Sequence, residues 1–290
     1  MPPGAPGPAT SLEVLAHAWV RARHGDAGAL HDVRVATRRL REALRLAAGH
    51  ARERRKVRQR LRRLTRVLGP IREVDVSRTL LAAIAARRPD LEPACERVDA
   101  RLIEVGAARR ARALKRIDDA DIDRLVARVR HHLARTRGAR QRVDRAALAA
   151  RVADRADRVA RAAERSGAMY APERLHDLRI EAKKLRYGLE VARRHRLPGA
   201  SPAVARLRQH QDLLGELHDL QVLAALVRRQ QARMAPDDAD APSLSDLLAD
   251  IEDRGRELHA RFMSARDALL ALADQLATTF SRIGSASPHA

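Results

Sequence analysis

His31, Arg34, Arg38, Arg41 and Arg45 follow one another at steps of three or four residues. On an α-helix, at about 100° per residue, they share an arc of roughly 80° and span roughly 21 Å of axis. Arginine presents a planar fork of N–H donors that meets phosphate oxygens in pairs and never loses its charge. Like charges on one strip repel each other when nothing lies between them. The chemistry such a row suits is the capture of an extended anion. The competing reading of a single row is a solvated basic helix face.

The row occurs twice. Residues 30–46, LHDVRVATRRLREALRL, return 145 positions later at 175–191 as LHDLRIEAKKLRYGLEV, with seven of the 17 columns identical. The second copy places His176, Arg179, Lys183 and Arg186 in the same arc, while Glu190 stands in the column of Arg45. Arg39 and Lys184 occupy another shared cationic column. Two copies with the histidine in phase favour a binding surface over a solvated one.

These side chains need a scaffold. Val33, Ala36, Leu40, Ala43, Leu44 and Ala47 gather on one face of the first row's helix, the apolar stripe that must be buried. A second repeated block supplies a neighbour: residues 61–76, LRRLTRVLGPIREVDV, return at 207–222 as LRQHQDLLGELHDLQV. Gly69 and Gly215 are in register, followed by Arg72-Glu73 and His218-Asp219. A glycine inside a helical pattern costs about 1 kcal/mol against alanine and marks a bend or a close approach. Both blocks are expected to kink or break there. Arg55, Arg62 and Arg66 share one side of the first block, whereas the second offers only Arg208 and His218 on that side.

An H-D-x-R-V-x-x-R-R-L-R helix, a downstream L-G-x-x-R-E-x-D-V, and a second half carrying H-D-L-R-I-x-x-K-K-L-R-Y and L-G-x-L-H-D-x-x-V resemble the CHAD domain, the conserved histidine α-helical domain. The resemblance covers about residues 12–283. It implies an all-α fold of two four-helix bundles related by internal duplication about a pseudo-twofold axis, with a basic central cavity that binds inorganic polyphosphate. Glu73 stands where an aspartate is usual, and Glu190 departs from the cationic pattern. The polyphosphate-binding candidates are then His31, Arg34, Arg38, Arg39, Arg41, Arg45, Arg55, Arg62, Arg66 and Arg72 in the first half. In the second they are His176, Arg179, Lys183, Lys184, Arg186, Arg208 and His218.

Along the chain, residues 1–10 are Pro/Gly-rich and expected to be a disordered tail. Residues 11–136 form the first half, 146–283 the second, and 284–290 a closing tail. Ser11 is the expected cap of a helix over 12–23 with Trp19 on its buried side, and Asp26 the cap of the helix carrying His31. Pro172 fits the first turn of the helix carrying His176. The pattern over 51–88 breaks sharply at Gly69-Pro70, since proline has no N–H and disfavours helix before it. Helices are also expected over 94–117, 118–136, 146–165, 173–195, 203–234 and 243–278.

The 290 residues carry 58 Lys+Arg against 37 Asp+Glu, a formal charge of +21, and only four of the cations are lysines. Aromatics are 2%, too few for the base-stacking platforms of single-strand binders. One cysteine excludes an internal disulfide. No apolar run approaches a membrane span and the first residues do not read as a signal peptide, so a cytoplasmic location is expected, with polyphosphate granules as the place of association.

No Gly-rich phosphate loop or dinucleotide fingerprint is present. Asp32 and Asp177 fall on the wheel away from the cations, so no carboxylate pair is placed to hold a metal for phosphoryl transfer. Binding without catalysis is expected, with no cofactor and no metal. The adjacent His131 and His132 point to different sides and are not read as a metal site. The alternatives are a helical nucleic-acid binder, which would bind non-specifically because no docking module is recognisable, and a helical scaffold. The sequence leaves the oligomeric state open.

Overall fold

The computed structural model describes residues 8–46, 51–117, 119–138, 145–167, 169–235, 238 and 240–285; of residues 45, 46, 119, 120 and 135–138 only the backbone is described. Every regular element among them is helical: α1 (Pro8–Arg23), α2 (Ala27–Leu46), α3 (Ala51–Val67), α4 (Gly69–Arg87), a 3-10 turn (Pro89–Leu91), α5 (Glu92–Arg116), α6 (Asp119–Gly138), α7 (Arg145–Arg165), α8 (Pro172–Arg194), α9 (Ala200–Gln231) and α10 (Ala241–Ser285).

The chain forms two compact units, one of residues 1–75 and 105–144, the other of residues 76–104 and 145–290. In the first, α2 packs on α1, α3 and α6, which also receives α1 and α3. Leu15, Trp19, Leu30, Val33, Leu40, Leu44 and Leu61 fill its centre at no more than 4% exposure. Each fully buried side chain of this kind is worth about 1.5–3 kcal/mol. In the second unit α7 packs on α8 and α10, and α9 closes the ring against the same two. Leu178, Leu185, Leu189, Phe262 and Phe280 are fully buried there.

Residues 76–104 belong to the second unit although the repeat assigns them to the first half. Ion pairs fasten them: Arg87 (2.5 Å) and Arg88 (3.5 Å) both reach Asp250 on α10, and Arg97 reaches Asp238 (3.2 Å) and Asp240. Leu81, Ile84, Leu91, Val98 and Leu102 are buried alongside.

Local chemistry sets the helix ends. The Ala29 N–H donates to Asp26 Oδ1 at 2.8 Å, the expected cap of α2. Pro172 opens α8. The break at Gly69-Pro70 separates α3 from α4, but α9 runs unbroken through Gly215. Glu216 replaces the proline there, so the backbone keeps its N–H donor and the helix has no reason to stop. Three other expectations shift. α1 begins at Pro8, a residue that fits a first helical turn, so residues 8–10 are helical and Ser11 is a buried interior residue rather than a cap. α9 starts at Ala200 with Pro202 in its first turn, and α10 extends to Ser285, through two residues assigned to the tail. Residues 1–7, 139–144 and 286–290, which hold most of the expected tails and linker, lie outside the described residues.

Candidate anion-binding sites

In the first unit the buried stripe Val33, Ala36, Leu40 and Leu44 turns the cationic row of α2 toward α3 and the start of α4. Arg34 Nη1 donates to the Thr65 carbonyl at 3.4 Å, in the last turn of α3, where a cation meets the negative end of the helix. The same Nη1 rests against Gly69, 3.5 Å from where a Cβ would stand. One turn along α2, the Thr37 and Thr65 hydroxyls meet at 3.1 Å. One turn the other way lies His31. His31 is exposed, yet its ring is partly desolvated; its pKa is lowered, first by that desolvation, then by Arg72, with Arg34 and Arg38 adding to the effect and Asp32 opposing it. His31 therefore sits within the field of Arg72, Arg34 and Arg38.

The second unit repeats the plan with other side chains. His176 Nδ1 and His218 Nδ1 are 3.3 Å apart, with ring centroids at 4.8 Å. One of the two nitrogens must carry the hydrogen and the other accept it. Burial, then Arg179, His176 and Lys183, lower the His218 pKa to about 4. Arg179 lies over Gly215, Nη2 3.8 Å from the Cβ position, and pairs with Asp219 at 3.6 Å. The buried Gln211 Nε2 donates to the Ala182 carbonyl at 2.6 Å.

These contacts, with the electrostatic influence of Arg72 on His31 in the first unit, join the same columns of the repeat. His31 with Arg72 answers His176 with His218; Arg34 over Gly69 answers Arg179 over Gly215; Thr37 with Thr65 answers Ala182 with Gln211. Going up one helix, the partners go down the other, so each pair of helices runs antiparallel in one register. Thr37, Thr65 and Gln211 were not among the expected site residues. Their columns flank the arginine and glycine columns, which is the signal that would have found them.

The remaining candidates are placed as follows. Arg38, Arg39, Arg41 and Lys183 are half-buried on α2 and α8, and Arg39 Nε is buried without a hydrogen-bond partner among the described residues. Arg55, Arg62 and Arg66 are exposed on α3, and Arg208 is exposed on α9. The side chain of Arg45 lies outside the described residues. Lys184 Nζ pairs with Glu181 at 2.5 Å. Arg186 Nη1 donates to Glu190 Oε1 at 2.8 Å and its guanidinium lies 4.9 Å over the Tyr187 ring. Glu190 itself is 3% exposed, so the residue that breaks the second row also neutralises its neighbour. Arg155, at 8% exposure, donates to the Lys184 carbonyl at 2.8 Å and supports α8 from α7. Among the described residues, no helix is long and apolar enough to cross a membrane.

Residues 9–228 match the CHAD domain, and the chain belongs to that family. Its structure is similar to the crystal structure of the CHAD domain from the plant Ricinus communis, with a TM-score of 0.61 at 21% identity, over 98% of this chain and 90% of that one. At that identity the likeness is one of fold. No curated protein matches the chain.

Proposed function

We propose that the protein binds inorganic polyphosphate, without turning it over, through two duplicated sites built on α2 and α8. The observation that carries this reading is the repeated arrangement: an arginine against a glycine, with a histidine one turn away, recurs in matching columns of α2–α4 and α8–α9. An internal duplication that keeps the cations as well as the core has kept a binding surface. Arg34, Arg38, Arg72, Arg179 and Lys183 supply donors for phosphate oxygens, and the formal charge of +21 draws any polyphosphate backbone toward them.

The carboxylates beside these cations support binding over catalysis. Asp219 is committed to Arg179, Glu181 to Lys184 and Glu190 to Arg186, which leaves them poorly placed to hold a metal for phosphoryl transfer. Nucleic acid would be held only through its phosphates. A cytoplasmic protein that gathers at polyphosphate granules fits this reading.

The test is a titration of polyphosphate against duplex DNA at equal phosphate concentration and several salt concentrations. Polyphosphate should bind more tightly at every salt concentration. Equal affinity would reduce the protein to a diffuse polycation.

A further inference from the structure

A cavity of about 590 Å³ opens between α9, α10 and the segment leading into α8, within the second unit. That volume lies in the range of small-molecule sites, about 300–1,000 Å³. Its position relative to the second anion site is fixed by helix geometry. Pro172 lines the cavity and lies four residues before His176 on α8; Gln221 lines it and lies three residues after His218 on α9. Residues three or four apart share a helix face, one turn along. The cavity therefore begins one turn from both imidazoles.

Its walls are of two kinds. Leu220, Ala224 and Ile251 are apolar, and an added Cβ at the buried Gly255 would meet nothing within 4 Å, so open space reaches the α10 backbone. The edges are polar. Gln221 Nε2 donates to the Tyr170 hydroxyl at 2.9 Å, and the Tyr170 ring, 46% exposed, meets His259 edge-on with centroids 5.0 Å apart. His259 Nε2 is buried with no hydrogen-bond partner among the described residues. Burial keeps this imidazole neutral, able to serve as donor or acceptor.

A cavity with an apolar wall, an aromatic ring, and amide, imidazole and guanidinium groups among its lining, where Arg228 is paired with Glu252 and Arg256 stands beside them, suits a heteroaromatic base. The next turn of both helices suits phosphate. We propose that the second site takes a nucleoside polyphosphate, its base in the cavity beside Tyr170 and its phosphates on His176, Arg179, Lys183 and His218. This rests on the phosphate-binding reading of that site. A ribose bridges the single turn between the two regions.

The experiment compares ATP with inorganic tripolyphosphate by calorimetry on the full chain at low salt. Charge favours tripolyphosphate, so a gain for ATP reports the base. ATP should bind about tenfold more tightly, as one base stacked on an aromatic ring allows. Tyr170→Ala and Gly255→Leu, the second filling the open space, should each return ATP to the tripolyphosphate level and leave tripolyphosphate unchanged. ATP no tighter than tripolyphosphate in the wild type overturns the inference alone. A preference for ATP that survives both substitutions overturns the assignment to this cavity. If neither ligand binds, the phosphate-binding reading falls with it.

Discussion

The guanidinium of Arg34 lies against Gly69, its Nη1 3.5 Å from the place a Cβ would take, and Arg179 stands in the same relation to Gly215 at 3.8 Å. Both distances are ordinary contacts, so alanine fits at either glycine. Gly215 lies inside an unbroken helix, where glycine costs about 1 kcal/mol. Gly215→Ala should therefore raise stability by about that amount in thermal or denaturant melts, with polyphosphate affinity unchanged. Gly215→Leu and Gly69→Leu place carbon where the guanidinium rests. Each should weaken polyphosphate binding as much as removing the arginine does.

Arg34→Ala, Arg38→Ala and Arg72→Ala should each cost about 1.5–3 kcal/mol of polyphosphate binding, the range for hydrogen bonds to charged groups. Each should also make the salt dependence shallower, because fewer counterions are exchanged. Arg128 is exposed on α6 and lies outside both repeated sequence blocks, so Arg128→Ala should change neither quantity. Equal losses from all four would indicate attraction to the net charge and no defined site.

His31 and His218 both have pKa values below the ordinary 6.5 in the free protein, His218 at about 4. A bound polyanion favours the charged form and raises them. Binding should take up protons and tighten as pH falls from neutrality toward about 4, which calorimetry in buffers of different ionisation enthalpy reads directly. Stability moves the other way. Above about 6.5 the imidazole of His218 is neutral in both folded and unfolded chains. Between 6.5 and about 4 only the unfolded chain takes the proton, so stability falls across that window. His218→Gln should flatten part of this fall in melts at pH 7 and pH 4.5.

Glu190 occupies the column of Arg45 and holds Arg186 at 2.8 Å from a 3%-exposed position. Glu190→Gln keeps an acceptor for Arg186 and removes the neutralising charge. Polyphosphate affinity should rise roughly two- to fivefold, with about 1 kcal/mol lost in stability. Arg38→Ala should weaken polyphosphate binding more than Lys183→Ala, because the first row carries no such acidic substitution. The reverse order would make the second site dominant.

The repeat made the two cationic helices and their glycine-bearing neighbours legible, because it displayed the core stripe and the charges in one period. The break at Gly69-Pro70 was legible for the same reason, proline being a local signal. Of the expected kink or break at Gly215, the break is absent because glycine alone only weakens a helix, while Glu216 lets it continue. The His176–His218 contact was half legible. Both residues were candidates, but their meeting at 3.3 Å depends on the antiparallel register of α8 and α9, which no local pattern encodes. The division of the chain at Asp75 and Val105 was not legible. The apolar residues of α4, such as Leu81 and Ile84, announce that a face is buried and say nothing of what buries it.

That division has a consequence for the protein as it leaves the ribosome. Residues 76–104 are made early, yet the acidic partners of Arg87, Arg88 and Arg97 are Asp238, Asp240 and Asp250. At translation rates of about 5–20 residues per second, this segment waits roughly seven to thirty seconds with Leu81, Ile84, Leu91, Val98 and Leu102 lacking their final cover. Assembly cannot proceed as one half finishing before the other begins. The nascent chain must hold a sticky intermediate until the first turns of α10, with Asp250, have been made.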